Sequence, residues 1–187
     1  MKKILLGVIT SLALQAFAAE PLEDFIQDIS SQTIQIIEKK TNDKIKNDKL
    51  EEIFHQVMDL DWMAKFAIAK FWKNLSEQDK IAYLAAYRSY LVKAYVPKFK
   101  EYNNQKVKII SIKDLGNEQF QVATQIISKD GQTINIGYRC KKEGENFKIR
   151  DITGEDFSLL TTQRADFSTI INNGGIEKLI KILLEKS

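Results

Sequence analysis

The spacing of apolar residues changes character twice along the chain. From Ala19 to Lys40, Phe25, Ile26, Ile29, Ile36 and Ile37 recur at helical intervals, and the polar Thr41-Asn42-Asp43 stretch then breaks the rhythm. Leu50, Ile53, Phe54 and Val57 resume it over Asp48 to Met58, predicting a shorter second helix. Asp61 offers a carboxylate to the backbone N–H groups that open a third helix, Trp62 to Lys73. Ser76 and Asp79 resemble a capping box and start the longest helix, which runs to about Tyr102 with Ile81, Leu84, Tyr87, Leu91, Tyr95 and Phe99 as its stripe. Pro97 removes one donor there and crowds the preceding turn, so a kink is expected.

From Lys106 the period falls towards two, β-branched and aromatic residues dominate, and turn residues come at short intervals. Four antiparallel strands are predicted, approximately Lys106 to Asp114, Glu118 to Ser128, Thr133 to Lys142 and Asn146 to Thr153. The joins Leu115-Gly116-Asn117, Lys129-Asp130-Gly131 and Glu143-Gly144-Glu145 each supply a residue tolerant of positive φ, as tight hairpins require. A meander is the simplest topology. Phe120, Val122, Thr124, Ile126, Ile134, Ile136, Tyr138, Cys140, Phe147 and Ile149 fall on one face, and Gln, Asn, Lys and Arg dominate the other.

Helical spacing returns over Phe157 to Asn172, where Asn173-Gly174-Gly175 supplies a left-handed cap, and again over Ile176 to Glu185. The expected fold class is therefore α+β: amphipathic helices packed on one face of a curved four-stranded antiparallel sheet.

Residues 1–18 stand apart from this pattern. Lys2 and Lys3 precede an apolar run from Ile4 to Leu14, followed by small residues at Ala16 and Ala18, which is the plan of an export signal cleaved after Ala18. The run is too short to span a bilayer, and no later stretch is apolar enough to do so. A single domain, 19–187, is expected to remain, exported to an oxidising compartment. The formal charge of +3 drops to +1 once the two leader lysines are removed, and Lys and Glu are interspersed nearly everywhere. No cationic footprint for nucleic acid survives. Cys140, the sole cysteine, cannot form an internal disulfide and reads as a small buried residue on a strand.

Signs of catalysis are sparse. Any Ser/His/Asp or Cys/His set would have to run through His55, the lone histidine, which reads better as a structural residue on a helix. There is no nucleophile elbow, zinc spacing or glycine-rich phosphate loop. Asp43, Asp48, Asp59 and Asp61 lack the spacing and central glycine of a calcium loop and read as loop or cap residues. No cofactor is expected.

The stretch from Trp62 to Ile109, WMAKFAIAKFWKNLSEQDKIAYLAAYRSYLVKAYVPKFKEYNNQKVKI, resembles the centre of the MlaC (toluene-tolerance) family, with its aromatic-rich ARFALG..W helix followed by F...F...L...Y...L..Y.GQKV. Ile149-Arg150-Asp151-Ile152, Phe157-Ser158-Leu159, Arg164-Ala165-Asp166-Phe167, Gly175 and Leu179-Ile180 are similar to the family's ending. The ordered set covers nearly the whole mature chain. It departs from the pattern at Asp156, where a glycine is frequent, at Gln163, where a tyrosine often precedes the arginine, and at Asn103-Asn104, which replace a glycine.

This resemblance implies a non-enzymatic carrier of phospholipid, with an inner-membrane MCE-domain ABC transporter complex and an outer-membrane lipoprotein complex as partners. It implies an apolar pocket between helices and sheet. At about 0.8 kcal/mol per methylene, two chains of ~15 methylenes represent roughly 24 kcal/mol of transfer free energy, so a carrier must hide nearly all of them. Expected tail contacts are Trp62, Phe66, Leu84, Tyr87, Leu91, Tyr95, Val122, Ile126, Ile134, Ile136, Tyr138, Phe147, Ile149 and Leu160, each of which ordinary core packing would also explain. Arg164 is open to two roles, a headgroup contact or a structural ion pair. Two other readings stay open at this point: a periplasmic chaperone or adaptor binding an acyl group or partner helix, and a small pocket enzyme on a similar scaffold.

Overall fold

The computed structural model describes residues 9–101, 105–155 and 157–187, with side chains for 20–98, 105–155 and 157–187. The chain runs α1 (Ile9–Glu38), α2 (Asp43–Val57), α3 (Leu60–Trp72), α4 (Glu77–Tyr95), a 3-10 helix (Val96–Glu101), β1 (Lys106–Gly116), β2 (Gln119–Ile127), β3 (Thr133–Glu143), β4 (Asn146–Gly154), β5 (Phe157–Ser158), α5 (Leu159–Asn172) and α6 (Gly175–Glu185). Residues 1–8 of the expected export signal lie outside the described residues. No helix among the described residues is long and apolar enough to cross a membrane.

Capping chemistry sets several boundaries that periodicity misplaces. α2 begins at Asp43 rather than Asp48, because the Asn42 side chain accepts from the Ile45 N–H at 2.9 Å. Asp59, not Asp61, caps α3 by accepting from the Trp62 N–H, which frees Asp61 to pair with Arg88, whose Nε lies 2.8 Å away. Ser76 caps α4 as expected, accepting from the Asp79 N–H. The α geometry of α4 stops at Tyr95 and tightens into the 3-10 segment around Pro97, since proline has no N–H for the α ladder. The buried face of α4 is Tyr83, Ala86, Tyr87 and Leu91, while Ile81 is 70% exposed and does not belong to the stripe. The side chain of Phe99 is outside those described.

The sheet is an antiparallel meander, β1-β2-β3-β4-β5. It has five strands rather than four: β5 is two residues long and pairs with the end of β4, too short to show a period of its own. Consequently α5 opens at Leu159, with the Ser158 hydroxyl as its cap, and not at Phe157. The first hairpin takes positive φ at Gly116, Asn117 and Glu118, and the third at Gly144. Between α5 and α6, Asn173 stays right-handed and Gly175 alone takes the left-handed conformation, at φ 74°.

Two bulges decide which side chains face the helices. In β1 the register slips at Ile110, so Val107, Ile109 and then Ile112 oppose Ile126, Thr124 and Val122 on β2. In β4 it slips at Arg150: Cys140 opposes Ile149, whereas Arg139 opposes Asp151 and Tyr138 opposes Ile152. A bulge inserts one residue and reverses the alternation beyond it. Ile152 thereby joins Phe147 and Ile149 on the apolar face, and Arg150 is left free to bond Asp59 and Glu143.

The buried side chains form one connected core. α3, α4, α5 and α6 pack on one another around Met63, Tyr83, Tyr87, Leu91, Phe167, Leu179 and Leu183, all buried. α1 and α2 instead cover the apolar face of the sheet. The α2–α3 junction is pinned to β4, where the Asp59 N–H donates to the Ile149 carbonyl at 2.9 Å.

Candidate functional site

One end of the sheet's apolar face is closed and the other is hollow. At the closed end the rings of Phe25, Phe147 and Phe120 meet, with centroids 5.7 Å apart for the first pair and 6.0 Å for the second. Towards the β2–β3 hairpin the layers separate around a cavity of about 260 Å³. Its floor is Val107 from β1, Ile126 from β2, Ile136 and Tyr138 from β3, and Ile149 and Ile152 from β4. Its roof is Ile26, Ile29, Ser30 and Thr33 of α1 with Leu50, Ile53, Phe54 and Val57 of α2. Met58 closes the side joined to β4, and Tyr95 and Lys98 stand where α4 passes into the 3-10 helix.

The polar groups of these walls are few. Ser30 spends its hydroxyl proton on the Ile26 carbonyl, 2.7 Å away. Burial raises the Tyr138 hydroxyl above its ordinary pKa, with the neighbouring Thr124 hydroxyl opposing the shift, and burial together with Tyr90 raises Tyr95. Both phenols are therefore neutral at physiological pH. No carboxylate, histidine or cysteine is among the described lining residues, so the charge of the walls comes from Lys98.

Of the fourteen side chains expected to contact tails, Tyr95, Ile126, Ile136, Tyr138 and Ile149 face this cavity. Tyr87, Leu91 and Val122 are fully buried away from its walls, and Leu84 packs half-buried against the core. The Tyr87 hydroxyl donates to Gln163 Oε1 at 2.7 Å. Phe147 belongs to the closed end, and Ile134, 49% exposed, lies beyond the cavity on the hairpin arm. Trp62, Phe66 and Leu160 are on the opposite face of the sheet, beside Gln121, Arg139, Asp151 and Thr153. There Trp62 and Phe66 stack at 5.1 Å, with the Arg150 guanidinium over Trp62 and that of Arg164 over Phe66 at 5.1 Å. Arg164 is thus remote from the cavity walls.

The roof and Lys98 are what sequence reasoning missed. Helical periodicity marked Ile26, Ile29, Leu50, Ile53, Phe54 and Val57 as apolar, yet it carries no information on which helix lies over which strand. Ile152 was hidden by the bulge at Arg150. For Lys98 there was one usable signal, its place beside Pro97 at the end of the stripe that contains Tyr95.

The other chemically suggestive residues resolve into local structure. His55 sits on the surface of α2 with Nε2 3.6 Å from a Glu51 oxygen. Asp48 pairs with Lys44, Asp59 with Arg150 and Asp61 with Arg88. Cys140 is buried on β3, and its burial pushes the thiol pKa up to about 12.

A family model described as MlaC protein matches residues 27–185 of the chain. The intermembrane phospholipid transport system binding protein MlaC of Haemophilus influenzae is 25% identical over 141 residues, spanning 73% of this chain and 63% of that protein. The chain thus spans less than two thirds of the length of this curated relative. A solved structure of a phospholipid-binding protein from Ralstonia solanacearum, in complex with a phospholipid, is similar with a TM-score of 0.68 at 18% identity, covering 92% of this chain and 95% of that one. At that identity the likeness speaks for the fold alone.

Proposed function

The chain belongs to the MlaC family, and from that premise we propose that it is a periplasmic phospholipid carrier whose acyl-chain site is the cavity between the α1–α2 roof and the sheet. The single observation that carries this reading is an unfilled interior with almost wholly aliphatic and aromatic walls. Such walls gain nothing from water, and an acyl chain placed between them recovers both hydrophobic transfer and dispersion contacts. The role that follows is shuttling between an outer-membrane lipoprotein complex and an inner-membrane MCE-domain ABC transporter, with ATP spent by the transporter. With no carboxylate, histidine or cysteine among the described lining residues, and its phenols neutral, the cavity suits holding a ligand better than transforming one.

The volume sets a further requirement. A methylene is close in size to a water molecule, whose share of liquid is about 30 Å³, so 260 Å³ accommodates on the order of nine of them. A two-chain lipid therefore needs the roof to lift. Among the described residues no backbone hydrogen bond joins α1 to a strand, whereas the far end of α2 is pinned through Asp59 to Ile149. We place the hinge at that junction.

Export is part of the same proposal. α1 runs through Pro21, and a proline inside a helix costs about 3 kcal/mol. Cleavage after Ala18 puts Pro21 in the first turn, where its missing N–H has no partner to lose.

Lipid extraction and mass spectrometry of protein purified from cells test the assignment. Co-purifying diacyl phospholipid is the expected result. Protein that stays free of lipid after incubation with phospholipid vesicles would overturn it, and a bound peptide would favour an adaptor instead.

A further inference from the structure

We propose that Lys98 selects phospholipids with net negative headgroups, an inference that rests on the carrier reading and adds a specificity to it. Seventeen described side chains line the cavity, and among them Lys98 is the charged one. It is held at the edge: the 3-10 segment that carries it is anchored by buried Val96, while Lys98 itself is exposed. Its ammonium lies 5.0 Å from the centre of the Tyr95 ring, which is itself a wall of the cavity. The cation therefore sits where the apolar walls meet solvent.

Among the described residues nothing compensates that charge. Lys98 makes no ion pair with any of them, and the remaining polar lining groups are the hydroxyls of Ser30, Thr33, Tyr95 and Tyr138. A lipid whose tails occupy the interior must leave its phosphodiester at the mouth, because burying the charge unpaired is prohibitive. There it meets the ammonium. A phosphatidylglycerol headgroup presents the phosphate alone, whereas phosphatidylethanolamine carries its own ammonium, which competes for the same phosphate and is repelled by Lys98. Arg164, which the resemblance leaves open between a headgroup contact and a structural ion pair, stands over Phe66 on the other side of the sheet, outside these walls.

The experiment uses the mature chain incubated with vesicles of equimolar phosphatidylglycerol and phosphatidylethanolamine, then separated and analysed for bound lipid. A partly exposed charge pair supports a preference of about threefold for phosphatidylglycerol. Lys98→Gln is expected to bring the ratio of the two lipids to about one, Lys98→Glu to take it below one, and Lys98→Arg to keep it. An unchanged ratio in Lys98→Gln, or no preference in the wild type, overturns this inference and leaves the carrier reading standing. If the wild type takes up neither lipid, the carrier reading falls and this one with it.

Discussion

Arg150 Nε donates to Asp59 Oδ2 at 2.7 Å, joining the bulge of β4 to the residue that caps α3. The other Asp59 oxygen accepts from the Trp62 N–H, and Arg150 also reaches Glu143 while its guanidinium lies over Trp62. One carboxylate thus fixes where a helix starts and where it docks on the sheet. Both side chains are largely shielded, at 15% and 18% exposure, so breaking the pair leaves a poorly solvated charge behind.

Asp59→Ala is therefore expected to cost about 2–3 kcal/mol, roughly one for the cap and the remainder for a shielded guanidinium left with Glu143 as its sole carboxylate among the described residues. Asp61→Ala, which removes the more exposed pair with Arg88, is expected to cost less than about 1 kcal/mol. Urea denaturation of both variants checks the contrast, and equal losses would refute the role given to Asp59.

Cavity walls and packed core should respond differently to truncation. Leu179 is fully buried in α6, and Leu179→Ala is expected to cost about 2–5 kcal/mol. Ile136 already borders empty space and is half-buried, so Ile136→Ala is expected to cost clearly less. Ile136→Trp, which fills that space, should reduce phospholipid uptake from vesicles while the fold persists by circular dichroism. Undiminished uptake would place the acyl chains elsewhere.

Tyr87 and Gln163 form a buried pair across α4 and α5, and Gln163 Nε2 has no partner among the described residues. Tyr87→Phe strands the amide oxygen and Gln163→Leu strands the phenol, each at a cost of about 1–3 kcal/mol. The double variant removes both partners and is expected to be less destabilised than the sum of the two. A double-mutant cycle in urea measures the difference; strict additivity would mean that the bond contributes nothing.

Alkaline pH should unfold the protein through its buried acids. Burial raises the Cys140 thiol from 9.0 to about 12 and raises Tyr87 and Tyr138 above the ordinary 10.0. Each folded pKa exceeds its unfolded value, so the unfolded chain sheds protons first. The stability that these neutral groups contribute is fully present below pH 9.0 and is lost as pH rises towards about 12. The urea midpoint should hold near neutrality and fall above pH 9.0, less steeply in Cys140→Ala. A midpoint unaffected by pH across that window would contradict it.

Local chemistry accounts for what the sequence alone determined. The meander, its hairpins, the Ser76 cap and the helix–sheet–helix order were legible because each depends on neighbours a few residues apart: a period of two or 3.6, a residue tolerant of positive φ, a hydroxyl ahead of a helix. Tyr95, Ile126, Ile136, Tyr138 and Ile149 were reachable as apolar positions on the right strand face or helix end. Tertiary structure decided the rest. Apolar spacing is the same for a side chain locked in a core, as Tyr87 and Leu91 are, and for one bordering a void, as Ile136 does. The bulges at Ile110 and Arg150 reset the alternation without any local mark, bringing Ile152 inward. Where two layers part to leave a hollow depends on how α1 and α2 settle against strands distant in the sequence, and that long-range balance put them and Lys98 around the cavity.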